Sequence, residues 1–159
     1  MRALAVTVSN RASAGVYEDT SGPLIVAGLR ELGVEVGDPV VIPDGEPVEK
    51  TLREAVAAEY DAVITSGGTG LTPLDLTPEM TRRVIEREVP GIAEAIRLTG
   101  FAKIPTAVLS RGLAGVAGRT LIVNLPGSAG GVKDGMAVLA GVLRHAVDHI
   151  GGGDHPRTS

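Results

Sequence analysis

The chain has no cysteine and no tryptophan, and Tyr17, Tyr60 and Phe101 are the only aromatic residues among its 159. Without cysteine, disulfides, thiolate metal centres and a cysteine nucleophile are excluded. So few aromatic rings leave little on which unpaired bases could stack, which argues against a single-stranded nucleic-acid binder. A basic excess is missing too: the net charge is −4, the wrong sign for gripping a nucleic-acid backbone. No run of apolar residues approaches the roughly 20 needed to cross a bilayer, and Met1–Val8 is apolar too briefly to act as a secretion signal. The sequence therefore reads as a cytoplasmic protein with neither nucleic acid nor membrane as partner. Bond-making chemistry must come from hydroxyls, carboxylates, backbone amides, or a nucleophile brought by the substrate.

What is plentiful is Val, Leu, Ile, Ala and glycine, at a length suited to one domain with a real core. Residues 3–9 form a short, β-branched run typical of a buried parallel strand. Ser21-Gly22-Pro23 opens a helix with Leu24, Ile25, Gly28, Leu29 and Leu32 inward, closed by Gly33. A second strand spans 34–42, interrupted by Gly37 and Pro39, and a second helix spans 47–59. Residues 62–65 make a third strand. Strand, helix, strand, helix, strand implies an α/β fold: a single three-layer domain whose mostly parallel sheet is flanked by helices. Further on, Thr77-Pro78-Glu79 starts a helix running towards Glu88, where Pro90-Gly91 breaks it. A short helix follows near 92–98. Residues 106–110 and 120–124 read as strands, with 112–118 a local antiparallel excursion. A long helix reaches about Ile150 on a stripe of Val132, Met136, Leu139, Leu143, Ala146, Val147 and Ile150, with Lys133, Asp134, Arg144 and Asp148 largely outside it. The domain thus spans 1–150, and 151–159 form a small, polar, mobile tail.

Two loops end strands and are built to approach a ligand with backbone. Ser66-Gly67-Gly68-Thr69-Gly70 carries three glycines in five residues, which lets amides converge on an anion. Asn124-Leu125-Pro126-Gly127-Ser128 feeds the amino end of the long helix, where exposed amides and the dipole favour phosphate. Neither is a P-loop or a G-x-G-x-x-G fingerprint, and each is also compatible with a plain tight turn. In parallel sheets ligands bind outside the carboxyl ends of strands, where both loops lie.

Asp75 and Glu79 follow the first loop. Asp75 either holds Mg²⁺ between phosphate oxygens or caps the helix, and Glu79 either lines the site or answers the helix dipole. Asp44, in Ile42-Pro43-Asp44-Gly45, ends the second strand on the same rim unless it is only a turn residue. Ser110-Arg111 closes another strand, where the guanidinium either clamps a phosphate or lies solvated. His145 and His149 stand four residues apart on the long helix without an evident third ligand, as outer-face residues do.

Ser9-Asn10-Arg11 with Gly15–Pro23, then Thr65–Gly70 with Asp75–Glu79, Pro105–Arg111 and Asn124–Ser128, resemble in order the motifs of the molybdopterin adenylyltransferase family, the Mog/MoaB type. The closing 152–157 segment is similar to actinobacterial-type members. The resemblance implies a molybdopterin-binding-like fold, a homotrimer, and Mg²⁺-dependent transfer of the adenylyl group of ATP to molybdopterin with release of pyrophosphate. It also implies hand-over of the product to a molybdate-inserting protein. By motif, Asp75 would organise Mg²⁺ and the triphosphate, and Asp44 would support the pterin or metal side. Gly67, Gly68, Thr69 and Gly70 would surround phosphates; Ser9, Ser110, Asn124, Pro126, Gly127 and Ser128 would line the rest of the crevice. Asn10 stands where many members carry an acidic residue, and it is left unassigned. The competing readings are a non-catalytic molybdopterin-binding relative, a molybdate-inserting protein, and a nucleotide-binding or scaffold protein in which the glycine loops are only turns.

Overall fold

The computed structural model describes residues 1–153. Of the expected tail only Gly151, Gly152 and Gly153 fall within it, and the rest lies outside the described residues.

Strand β1 (Arg2–Val8) is followed by a short helix, α1 (Asn10–Ser13), and by α2 (Ser21–Glu31). The expected interrupted strand is two pieces, β2 (Glu35–Val36) and β3 (Val40–Ile42), both parallel to β1 and paired with its two ends. Helix α3 (Glu46–Ala57) leads into β4 (Ala62–Ser66), which lies parallel to β1 on its other side. After α4 (Thr77–Arg82) come β5 (Arg87–Glu88), α5 (Pro90–Phe101) and a 3-10 turn, Pro105–Leu109. The hairpin β6 (Ala114–Ala117) and β7 (Thr120–Leu125) and the 22-residue helix α6 (Ala129–Ile150) complete the domain. The sheet order is β2-β1-β4-β7-β6-β5, with β3 also on β1. Among the described residues only the contacts of β6 are antiparallel.

Alternation along the strands sorts side chains to two faces. Ala3, Ala5, Ala62, Ile64, Leu121, Val123 and Leu125 pack with α2, α5 and α6. Val6, Val8, Val63 and Ile122 pack with α3 and α4. The three-layer expectation therefore holds.

Three expected elements differ. The helix beginning at Thr77 stops at Arg82 rather than nearing Glu88, because residues 86–89 extend the sheet: Glu86 N donates to Val116 O (2.8 Å) and Val89 N to Ala114 O (2.8 Å). Pro90 begins α5 as well as ending what precedes it, since a first-turn proline loses no helical hydrogen bond. The strand expected at 106–110 is the 3-10 turn. Pro105 has no N–H to give a ladder, and Ala107 packs instead against Gly100 of α5. The antiparallel excursion exists, formed by β6 and β7. Asp134, expected outside the apolar stripe, is buried.

Leu139 is fully buried between α6 and the sheet. Leu139→Ala is expected to cost about 2–5 kcal/mol, seen as a fall in Tm of about 2–4 °C per kcal/mol in a thermal melt.

Candidate functional site

Because β1, β3, β4 and β7 run parallel, their carboxyl ends share one rim: Val8 pairs with Ile42, Thr7 with Ser66, and Ser66 with Leu125. The segments leaving these strands meet there. Gly67 has φ 93° and its N–H donates to Leu125 O (3.1 Å). A Cβ at Gly67 would be driven into the carbonyl oxygen of Val8, so no other residue fits that passage. Gly127 lies against Gly67, its would-be Cβ 3.3 Å from the Gly67 Cα. The two glycine loops thus form one continuous floor.

Two cavities open on either side of it. The first, of about 750 Å³, is lined by the glycine loop through Gly70, by Ser110, and by Pro126, Gly127, Ser128, Gly130 and Gly131 at the start of α6, and it reaches between α5 and α6. The second, of about 850 Å³, is lined by Ser9, Asp19, Ser21, Asp44 and Ser66 among others. Gly67, Gly68, Asp75 and Gly127 line both. Each volume suits a small-molecule ligand.

Ser9 caps α1, accepting from Ala12 N (3.1 Å), and its hydroxyl meets that of Tyr17 (2.9 Å). Ser66 donates to Ser21 (2.9 Å) and Ser110 to Thr69 (3.2 Å), so hydroxyls knit the rim together. Ser128 caps α6 by accepting from Gly131 N (3.0 Å). Asn10, unassigned by motif, accepts from the amide of Asp44 (3.0 Å) and so holds the turn that presents that carboxylate.

Asp44 Oδ1 accepts from Gly45 N (2.7 Å) and Leu76 N (3.2 Å). Asp75 Oδ2 accepts from Thr72 N (3.0 Å) and Thr72 Oγ1 (2.8 Å). Burial raises the Asp44 carboxyl above the usual range; the two amides oppose this, and the charges of Asp75 and Glu79 reinforce it. Thr77 Oγ1 is buried and, among the described residues, has no hydrogen-bond partner. It and Asp44 Oδ2 converge on the point where a Cβ of Gly68 would stand. Two carboxylates, each with an oxygen to spare, beside a vacant hydroxyl are hard-oxygen donors that fit Mg²⁺, which is commonly held by one or two carboxylates plus substrate phosphates. Among the described residues no group of three or more His, Cys, Asp or Glu could hold a metal by itself, so phosphate and water would supply the remaining ligands.

Three expected site residues do other work. Arg111 is no phosphate clamp: Nε donates to Gly70 O (2.8 Å), Nη2 to Asp75 O (2.7 Å), and Nη1 pairs with Glu79. Its backbone N–H also donates to Thr69 O (2.8 Å). Arg111 and Glu79 line neither cavity and instead staple the glycine loop to the start of α4. The Arg111 hydrogen bond keeps Glu79 below the usual glutamate range. Asn124 also lies outside both cavities. It is buried, donates to Thr65 and Thr81 (3.1 Å each), and accepts from Leu113 N (3.1 Å). His145 and His149 are exposed on α6, their rings 6.2 Å apart. Asp19 and the α5–α6 wall of the first cavity escaped sequence reasoning. Asp19 lies inside the Gly15–Pro23 motif but has no role assigned by it; it accepts from Gly22 N (3.1 Å) and from Thr7 Oγ1 on β1 (2.9 Å), and the second contact has no local pattern to mark it.

The fold and the rim define a class: α/β domains with glycine loops at the carboxyl ends of parallel strands, the place where such sheets present ligand sites. The chain belongs to the family described as probable molybdopterin binding domain, whose model matches residues 4–145. It is 38% identical over 150 residues to the molybdopterin adenylyltransferase of Helicobacter pylori strain J99, covering 91% of this chain and 85% of that protein. The solved structure titled anomalous substructure of MogA is 55% identical, with TM-score 0.93 over 94% of this chain and 99% of that one. The molybdopterin biosynthesis Mog protein from Mycobacterium ulcerans is 52% identical, with TM-score 0.88 over 94% and 98%.

Gly68 has φ 66°, and a methyl group there would press on both Thr77 and Asp44. Gly68→Ala is expected to lose about 1–3 kcal/mol in denaturant unfolding. Glu79 has a lowered pKa in the fold, so its bond to Arg111 stabilises above the unfolded glutamate pKa and is lost only as pH falls through the lower folded value. The stability gap between wild type and Glu79→Gln should therefore be steady near neutrality. It should close below the ordinary glutamate range, read from urea midpoints across pH.

Proposed function

We propose that this chain adenylylates molybdopterin, using ATP and Mg²⁺ in molybdenum cofactor synthesis. The observation that carries this is the shared wall of the two cavities. Two ligands, one on each side, would bring their phosphates together over Gly67, Gly68, Gly127 and Asp75. The name of the Helicobacter pylori relative supports the same reaction.

In that reaction a terminal phosphate oxygen of molybdopterin attacks the α-phosphorus of ATP. A new P–O bond forms, the bond from the α-phosphorus to the bridging oxygen breaks, and pyrophosphate leaves with the electron pair. The nucleophile belongs to the substrate, so a chain without cysteine or a serine–histidine pair at the rim loses nothing. The protein's part is positioning and charge. Backbone amides of the Gly67–Gly70 loop and of the α6 amino end receive phosphate oxygens, with Ser9, Ser66, Thr69, Ser110 and Ser128 adding hydroxyls along the rim. Asp75 and Asp44 would hold Mg²⁺, which when bound offsets negative charge on phosphate oxygens. Arg111 and Glu79 act on the reaction through the loop they hold. The functional domain is residues 1–150, working in the cytoplasm as a homotrimer that hands its product to a molybdate-inserting protein.

Purified protein should release pyrophosphate and form adenylylated molybdopterin when given molybdopterin, ATP and Mg²⁺. Asp75→Asn should lower that rate about a hundredfold or more, since it removes a carboxylate that would hold Mg²⁺ beside the phosphates. Pterin bound by both proteins with product from neither would reject catalysis in favour of a binding relative.

A further inference from the structure

The first cavity extends well past the phosphate loops, into the space between α5 and α6, and the reaction above leaves that extension without a role. Much of its wall is apolar: Ile96, Ile104, Ala107 and Leu109 line it. Ile104 and Leu109 are 60% and 49% exposed, so this is apolar surface that an occupant would remove from water. A phosphate group has no use for such a wall, whereas the faces of a planar ring do.

Charged residues line this wall as well: Arg97, which donates to the carbonyls of Ser110 (3.3 Å) and Gly112 (2.9 Å), Lys133, and the pair Lys103 and Asp134. Asp134, in the second turn of α6, has a side chain only 11% exposed, and its Oδ1 accepts from Lys103 Nζ, whose side chain is 66% exposed. Oδ2 has no hydrogen-bond donor among the described residues. It lies 3.9 Å from the Cβ position of Gly100, another residue of the cavity wall. Burying a carboxylate is costly, and an apolar residue would join two helices as well. A buried carboxylate with an unused acceptor beside an exposed ammonium is instead an acceptor–donor pair facing an apolar slot.

We propose that Asp134 and Lys103 read the edge of the fused nitrogen heterocycle of a bound substrate. Asp134 Oδ2 accepts from an exocyclic amino group. Lys103 Nζ donates to the adjacent ring nitrogen or carbonyl oxygen, and the apolar wall covers the ring faces. The ligand's identity rests on the reaction proposed above. Both of its substrates carry such an edge, pterin through its 2-amino-pyrimidinone side and adenine through its 6-amino group beside a ring nitrogen. The pair determines specificity and does not touch the reacting phosphates.

The test is equilibrium binding to the whole protein, with no turnover. ATP and a pterin bearing a phosphomonoester side chain are titrated separately, each beside its amino-to-oxo analogue, inosine triphosphate or the corresponding lumazine. Asp134→Asn is expected to weaken one of the two amino ligands about tenfold or more while leaving the other within about twofold, the scale of one charge-assisted hydrogen bond. The ligand that weakens identifies the ring. For it, the wild-type preference for the amino form over the oxo form should collapse towards unity, a ratio that partial unfolding does not alter. Lys103→Met, a change at an exposed side chain, should weaken the same ligand. An unchanged preference in both arms, or equal weakening of both ligands, would overturn the proposal and leave the pair as a strut between α5 and α6. A wild type that binds with intact preference but forms no product would count against adenylylation alone.

Discussion

The passage of Gly67 between the ends of two strands is the constraint on which the rest of the rim depends. The chain leaving β4 has to thread past the carbonyl of Val8 while its amide bonds Leu125. Only a residue without a Cβ, at positive φ, can do both. Once it does, the two glycine loops are stacked rather than merely adjacent, and the space above them is divided into two cavities with a common wall. A looser crossing would leave two cavities with no wall in common.

Electrostatics at this rim run against stability. Burial raises the pKa of Asp44, and the charges of Asp75 and Glu79 add to that rise. Among the described residues the buried hydroxyl of Thr77 has no hydrogen-bond partner, an arrangement that costs free energy. Such local conflicts concentrate where a ligand resolves them. Arg111 is the counterweight: by binding Glu79 and the carbonyls of Gly70 and Asp75 it removes one negative charge from the group and fixes the loop in the same stroke.

The errors of sequence reading have physical causes. Residues 106–110 carry a strand-like composition, yet Pro105 and the close approach of Ala107 to Gly100 curl them into a 3-10 turn. Residues 86–89 prolong a helical pattern, yet the edge of β6 offers hydrogen bonds that the helix end cannot match. Arg111 and Asn124 were legible as polar residues at strand ends, but not their direction. Arg111 turns to the loop backbone and Asn124 into the core, because their partners lie up to 59 residues away in the chain. Asp134 and Lys103 meet across 31 residues, with no spacing that marks them.

By itself the sequence determined what is local: the alternation of strand and helix, the parallel sheet it implies, the glycine loops after β4 and β7, and the absence of any thiol chemistry. These follow from side-chain periodicity and from backbone freedom at glycine, which neighbours in the chain settle. The tertiary structure alone decided which rim groups face a cavity, which are spent holding the loops, and that two cavities share one wall. Those outcomes depend on distances between strand ends and helices far apart in the chain, and such distances exist only after the sheet has closed and its register is set.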